Sequence, residues 1–254
     1  LKIGFAETAN VARFHAALGS LERRGAAEAC LMVVDGRPGL GKTTTLQRWA
    51  VENEVVYLRA KKEWTPGWFL NDLLDEFRIT PQHSYQRRFA QAMEAMLSRQ
   101  SAMARAKKTF AVVIDEADHI SRNSRIMESI RDFSDLGDVV FILVGMGRIR
   151  ENLVLLPQVA SRVAQYVRFE PATAADVRAL ADTLCEVPVA DCLADFVCRV
   201  TDGFNREIVE ALATIERWGK RNAGGELVTL AAMAGVAIVN DRRTGQPIIV
   251  PEGI

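Results

Sequence analysis

Short apolar runs alternate with longer stretches in which apolar residues recur every three or four positions. Leu31-Met32-Val33-Val34 ends in Asp35-Gly36 and reads as a buried strand. Val55-Val56-Tyr57-Leu58, Phe110 to Ile114, Val139 to Val144 and Val163 to Phe169 read the same way. Between them the spacing predicts helices from about Lys42 to Val51, Trp64 to Phe77, Arg87 to Met103, and one carrying Ile126, Ile130 and Phe133. An earlier helix presents Val11, Phe14, Leu18 and Leu21, with Asn10 as its expected cap. Strands alternating with helices imply an α/β fold with a five-stranded parallel sheet flanked by helices.

After Pro171 the pattern changes. Thr173 with Asp176 forms a capping box ahead of Val177, Leu180 and Leu184. Further helices are expected around Leu193 to Val200 and from Asn205 to Trp218, followed by no strand signal before Pro247 to Val250. The expected organisation is a nucleotide-binding α/β domain over residues 1–171, a small helical lid over 172–222, and a C-terminal extension of unassigned role over 223–254.

Composition narrows the classes. Apolar residues are 49% and charged residues 25% of the 254, which excludes collagen-like and disordered chains. Lysines plus arginines number 32, as do the acidic residues, so a uniformly basic coat for nucleic acid is excluded while a local basic patch is not. The longest apolar run, Val139 to Met146, falls far short of the roughly 18 to 20 residues that span a bilayer. No membrane partner is expected. Cys30, Cys185, Cys192 and Cys198 have no CxxC pairing, and His15, His83 and His119 are scattered, so buried free thiols are expected rather than zinc or disulfides.

The chemistry enters with Gly36-Arg37-Pro38-Gly39-Leu40-Gly41-Lys42-Thr43, which fits GxxxxGK[ST] between a strand and a helix. Backbone N–H groups of such a loop point at phosphate oxygens, and the helix N-terminus adds a favourable dipole. Lys42 is expected on the β- and γ-phosphates and Thr43 on Mg²⁺, with Thr44 completing the ATP site. Ala111 to Ile114 delivers Asp115 to the carboxyl edge of the sheet, where it is expected to hold the Mg²⁺ shell. Glu116 follows as the group that orients or deprotonates water. Residues 115–118 also spell Asp-Glu-Ala-Asp, but an RNA helicase needs two motor domains and a Ser-Ala-Thr motif, both missing here.

Two arginines narrow the class. Arg162 stands just before the fifth strand, where it is expected to reach a neighbouring subunit's γ-phosphate. Arg206, in Gly203-Phe204-Asn205-Arg206, opens a lid helix and is expected to fold back over the nucleotide.

This order of motifs resembles an AAA+ ATPase. Glu7-Thr8-Ala9-Asn10-Val11, and Val56-Tyr57-Leu58-Arg59-Ala60 followed by Trp64-Thr65-Pro66, resemble the family of the phage Mu B transposition protein, with TnsC, TniB and IstB as more distant relatives. The resemblance spans about residues 7 to 220. It implies ATP-dependent, sequence-independent binding of double-stranded DNA by a homo-oligomer, a helical filament or ring. It also implies delivery of target DNA to a DDE transposase, in the cytoplasm of a bacterial cell. By family geometry, Lys61 and Lys62, with Thr65 nearby, are the first DNA candidates. Trp64, Trp68 and Phe69 are expected in the core instead. Two departures stand out. Gly145-Met146-Gly147 occupies the place of a polar residue that positions water, so that Arg148 substitutes or hydrolysis is slow. Little chain precedes the core where the Mu B protein carries a helix-turn-helix region. A replication helicase loader, a DNA-independent ATPase of the ExeA type and a monomeric nucleotide switch share the core motifs and remain alternatives.

Overall fold

The computed structural model describes residues 1–23 and 30–252; residues 253–254 of the C-terminal stretch lie outside it. The chain forms two compact units. One holds residues 14–37 and 42–169; the other gathers Leu1–Arg13, Pro38–Gly41 and Glu170–Ile254. The helix α1 (Ala9–Glu22) opens the chain.

The first of these is a five-stranded parallel sheet of β1 (Leu31–Asp35), β2 (Val56–Arg59), β3 (Ala111–Asp115), β4 (Val140–Val144) and β5 (Val163–Arg168), in the order β2-β3-β4-β1-β5. The three inner strands carry the apolar runs Leu-Met-Val-Val, Ala-Val-Val-Ile and Val-Phe-Ile-Leu-Val because both of their faces are covered. The edge strands β2 and β5 are only partly buried. From β1 the chain jumps past two strands to β2 and steps back to β4, so the order reverses beside β1. A parallel sheet leaves a crevice at its carboxyl edge at such a reversal. Asp35, Arg59 and Asp115 end their strands at that edge.

The helices α2 (Lys42–Asn53), α3 (Pro66–Glu76), α4 (Tyr85–Arg105), α5 (Ser124–Gly137), α6 (Ile149–Leu153) and α7 (Pro157–Ala160) complete this unit. Thr65, Ser84 and Asn123 cap α3, α4 and α5, each accepting the amide three residues on. The core centres on Phe133, whose ring stacks on Phe89 at 4.2 Å and lies 6.2 Å from Phe141. Trp64 and Phe69 are buried as their spacing predicts, but Trp68 is 41% exposed. Its indole N–H and that of Trp64 both donate to Asp72, at 3.0 and 2.9 Å. Asp72 therefore holds Trp68 at the rim, a polar anchor that apolar spacing does not register.

The other unit contains α8 (Ala174–Leu184), α9 (Asp191–Val200), α10 (Asn205–Asn222) and an antiparallel pair, β6 (Ala237–Asn240) with β7 (Pro247–Ile249). Val177, Leu193, Val197, Ile208, Leu212 and Ile215 form its core, in helices placed as their periodicity predicts. Ile238 and Val250 belong to the same cluster. The strand β6 has no counterpart in the sequence reading, because four residues carry little alternation and its pairing partner lies several residues further on. Asp176 does double duty: the expected capping box with Thr173 is present, and its Oδ1 accepts the Ala9 amide at 2.6 Å. Asn10 is not the cap of α1. The helix starts one residue earlier, and Asn10 instead brackets the Glu170 backbone, donating to its carbonyl at 2.7 Å and accepting its amide at 2.9 Å.

Cys30 and Cys185 are buried as expected, whereas Cys192 is exposed. Among the described residues no helix is long and apolar enough to cross a membrane. Because Phe133 is fully buried between two rings, Phe133→Ala is expected to destabilise the sheet unit by about 3–5 kcal/mol, read from urea unfolding.

Candidate functional site

The loop leaving β1 begins with a glycine for a steric reason. Gly36 has φ +151°, and a Cβ there would lie 2.6 Å from the Phe169 carbonyl oxygen. Only a bare backbone passes this point. Lys42 opens α2 and is 7% exposed. Its ammonium turns back onto the loop, donating to the carbonyls of Gly36 at 2.6 Å and Arg37 at 2.9 Å. Burial pulls its pKa below the ordinary lysine value, an effect that Asp35, Asp115 and Asp118 oppose by their charge.

Asp115, at the end of β3, is 6% exposed. Its Oδ2 accepts the hydroxyl of Thr43 at 2.8 Å and that of Tyr57 at 2.7 Å. Two residues brought together by the sequence motifs thus meet, and a third joins them. Burial, then the bond to Asp115, pushes the Tyr57 pKa up, so its phenol stays a donor. Two hydroxyls converging on one carboxylate oxygen gather three oxygens of the hard kind that Mg²⁺ takes.

Glu116 has left-handed backbone, φ 55°. Arg59 ends β2 directly opposite Asp115 in the sheet register and pairs with Glu116 at 2.5 Å; His119 lies 3.6 Å from the same carboxylate. The Arg59 hydrogen bond holds the Glu116 carboxyl below the usual glutamate range.

At the end of β4 a carboxylate from another segment packs against the glycine. Asp118 accepts the Met146 amide and, at 3.1 Å, the Arg148 amide. A Cβ at Gly145 would fall on Asp118 Oδ2 and 2.5 Å from Ile149 Cδ1. The polar group at this strand end therefore comes from Asp118, and the glycine is what admits it. Arg148 takes part through its backbone amide, with its side chain exposed.

Arg162 follows α7 and forms a two-pronged pair with Asp135, Nε to Oδ1 at 2.7 Å and Nη2 to Oδ2 at 3.0 Å. Lys61 is also engaged: it pairs with Asp72 at 2.6 Å and lies 5.1 Å from the Trp68 ring centroid. Lys62 is exposed. The Thr65 hydroxyl is spent on capping α3. Within the helical unit, the Arg206 amide donates to the Gly39 carbonyl at 3.3 Å, and the Arg206 side chain is exposed. The residues that motif reading missed are Tyr57, Arg59 and Asp118. Tyr57 and Arg59 sit two apart on one strand, so they share a sheet face; the missing signal was that β2 lies beside β3.

The Gly145 contact is a direct stability statement. Gly145→Ala is expected to cost about 1–3 kcal/mol, measured by urea unfolding, because the methyl group must displace both Asp118 and Ile149.

A family model described as an AAA domain matches residues 26–153. Cdc6p from Pyrobaculum aerophilum is similar in structure, with TM-score 0.59 and 18% identity over 84% of this chain and 62% of that one. Orc1 from Aeropyrum pernix, solved in complex with DNA, gives 0.54 and 18% over 84% and 60%. The Walker-type ATPase PABY2304 of Pyrococcus abyssi gives 0.55 and 13% over 84% and 67%. This chain spans about three fifths of the length of the Cdc6p and Orc1 chains. No curated protein matches the sequence. The P-loop, the parallel sheet and the family match over half of the residues agree: the chain belongs to the AAA domain family, whose fold is that of the P-loop AAA+ ATPases.

Proposed function

We propose that this chain is a DNA-binding AAA+ ATPase that forms a homo-oligomer on double-stranded DNA, without sequence preference, and delivers that DNA to a DDE transposase. The observation that carries the ATPase part is the cluster of Thr43, Tyr57 and Asp115 oxygens beside a buried Lys42, with Glu116 next in the chain. That donor set fits Mg²⁺, which supplies charge neutralisation at the phosphates. Thr43 and Asp115 would hold it.

In this reading the loop from Gly36 to Thr44 cradles the ATP phosphates through its amides. Lys42 gives up its two carbonyl partners and places its charge on the β- and γ-phosphates. Glu116 takes a proton from the water that attacks the γ-phosphorus, and ADP and phosphate leave. Asp118 holds the β4 turn against this site. By its resemblance, Arg206 at the start of α10 is the lid arginine that senses the nucleotide. Arg162 exchanges Asp135 for a neighbouring subunit's nucleotide, which makes hydrolysis depend on assembly.

DNA binding and transposition rest on the sequence wording around Glu7-Thr8-Ala9-Asn10 and Val56 to Pro66. A neighbouring fold solved on DNA, that of Orc1, is in keeping with a DNA role; a replication helicase loader, which shares the core motifs, is the second reading. Lys61 and Lys62 are the DNA contacts of this proposal, and Lys61 must leave Asp72 to serve.

Measurements of hydrolysis and of DNA binding test these roles. Glu116→Gln is expected to keep ATP binding and lose hydrolysis by roughly 10²- to 10⁴-fold. Because Arg59 holds the Glu116 carboxyl down, the carboxylate persists to lower pH than an ordinary glutamate. Arg59→Ala should therefore move the acid limb of the hydrolysis profile to higher pH, and an unmoved limb removes Glu116 as the base. Random-sequence duplex DNA should bind with ATP and not with ADP, with affinity falling steeply as salt rises. Lys61→Ala with Lys62→Ala should weaken that binding and flatten the salt slope by about two. Binding in no nucleotide state would turn the reading to a DNA-independent ATPase, and a transposase gene beside this one would separate transposition from helicase loading.

A further inference from the structure

The turn between β6 and β7 is tightly organised. Asp241 Oδ1 accepts the amides of Arg243 at 2.9 Å and Thr244 at 2.7 Å, and the Thr244 hydroxyl at 2.9 Å. Arg243 then points away: its side chain is 83% exposed and pairs with Asp202 at 3.6 Å. Arg242 turns inward. Its guanidinium lies 3.9 Å from the centroid of the Phe204 ring, and both Nη1 and Nη2 donate to the Pro38 carbonyl at 3.3 Å. Pro38 belongs to the phosphate loop.

A carboxylate shares this corner. Glu207 lies 3.7 Å from Arg242 and its side chain is 15% exposed. Its Oε2 is buried with no hydrogen-bond partner, and a Cβ at Gly39 would lie 3.8 Å from that oxygen. A poorly solvated negative charge beside a loop built for polyphosphate opposes the ligand by direct repulsion. The ring of Phe204 keeps Arg242 in place above the loop, where its charge offsets that of Glu207.

We propose that Arg242, carried by the C-terminal hairpin, is a positioning residue of the nucleotide site: it holds the phosphate-loop turn by the Pro38 carbonyl and cancels the charge of Glu207, so that the ATP phosphates can be seated. This assigns a role to the segment after α10, and it rests on the ATP-binding reading above. Arg242 acts through the loop and through Glu207 and is not itself a catalytic group.

The test is ATP affinity of the full chain, followed by anisotropy of a ribose-labelled ATP, beside urea stability of each variant. Arg242→Ala is expected to weaken binding about tenfold, as uncompensated repulsion at a partly buried site requires. Glu207→Gln alone leaves Arg242 in excess beside the loop and is expected to tighten binding about two- to threefold. The double variant should recover most of the loss. A purely structural role for Arg242 would weaken binding without rescue by Glu207→Gln. Arg243→Ala should match the parent. Unchanged affinity in Arg242→Ala, or a double variant no tighter than the single, overturns the proposal while leaving the ATP reading intact. If Arg242→Ala does not fold, Glu207→Gln still decides, because unchanged or weaker binding there also overturns it. A parent chain that binds ATP no better than Lys42→Ala would take down both readings.

Discussion

One carboxylate oxygen, Oδ2 of Asp115, ties together three elements that are far apart in the chain. It accepts Thr43 from the start of α2 and Tyr57 from the edge strand β2, while Asp115 itself ends β3. A buried charge of this kind is costly unless it is hydrogen-bonded. The two hydroxyls meet that requirement and, in doing so, aim an oxygen set at the sheet's carboxyl edge. The order reversal beside β1 supplies the crevice in which this edge is open. The sheet register supplies the rest: Arg59 lies opposite Asp115, so the group that restrains Glu116 comes from the neighbouring strand.

Three cations around the site are already partnered within the chain. Arg59 holds Glu116, Lys61 holds Asp72 and Arg162 holds Asp135. An exposed pair contributes only about 0–1 kcal/mol, so exchanging Asp72 for a phosphate costs Lys61 little. The Arg162–Asp135 pair is different, since both side chains are below 30% exposed and both prongs are bonded. Charge-assisted, two-pronged bonds are about twice as strong as neutral ones. Releasing Arg162 therefore needs an equally good acceptor, and a nucleotide phosphate is one.

Glycine plays opposite parts at the two strand ends that frame the site. At Gly36 it lets the chain pass close to the Phe169 carbonyl before the loop turns. At Gly145 it makes room for a side chain from elsewhere, the Asp118 carboxylate. A linear motif sees the second glycine as a polar residue gone missing. In three dimensions the Asp118 carboxylate, from the segment after β3, lies where a side chain at that position would begin.

The residues alone determined the α/β class, the strands that carry the sheet, the phosphate loop and the acidic strand end. Those features are local: an apolar run of five residues or a fixed glycine spacing declares itself without its neighbours. Tertiary structure decided what depends on pairing between distant segments. The sheet order brought Tyr57 and Arg59 to Asp115 and Glu116, and no spacing in the chain announces a neighbour more than fifty residues away. Asp72 drew Trp68 out to the rim, Asp176 rather than Asn10 secured the start of α1, and β6 formed because β7 came back to meet it. In each case a hydrogen-bond partner contributed by folding outweighed the local preference, because a polar group leaving water must find a partner wherever the fold provides one.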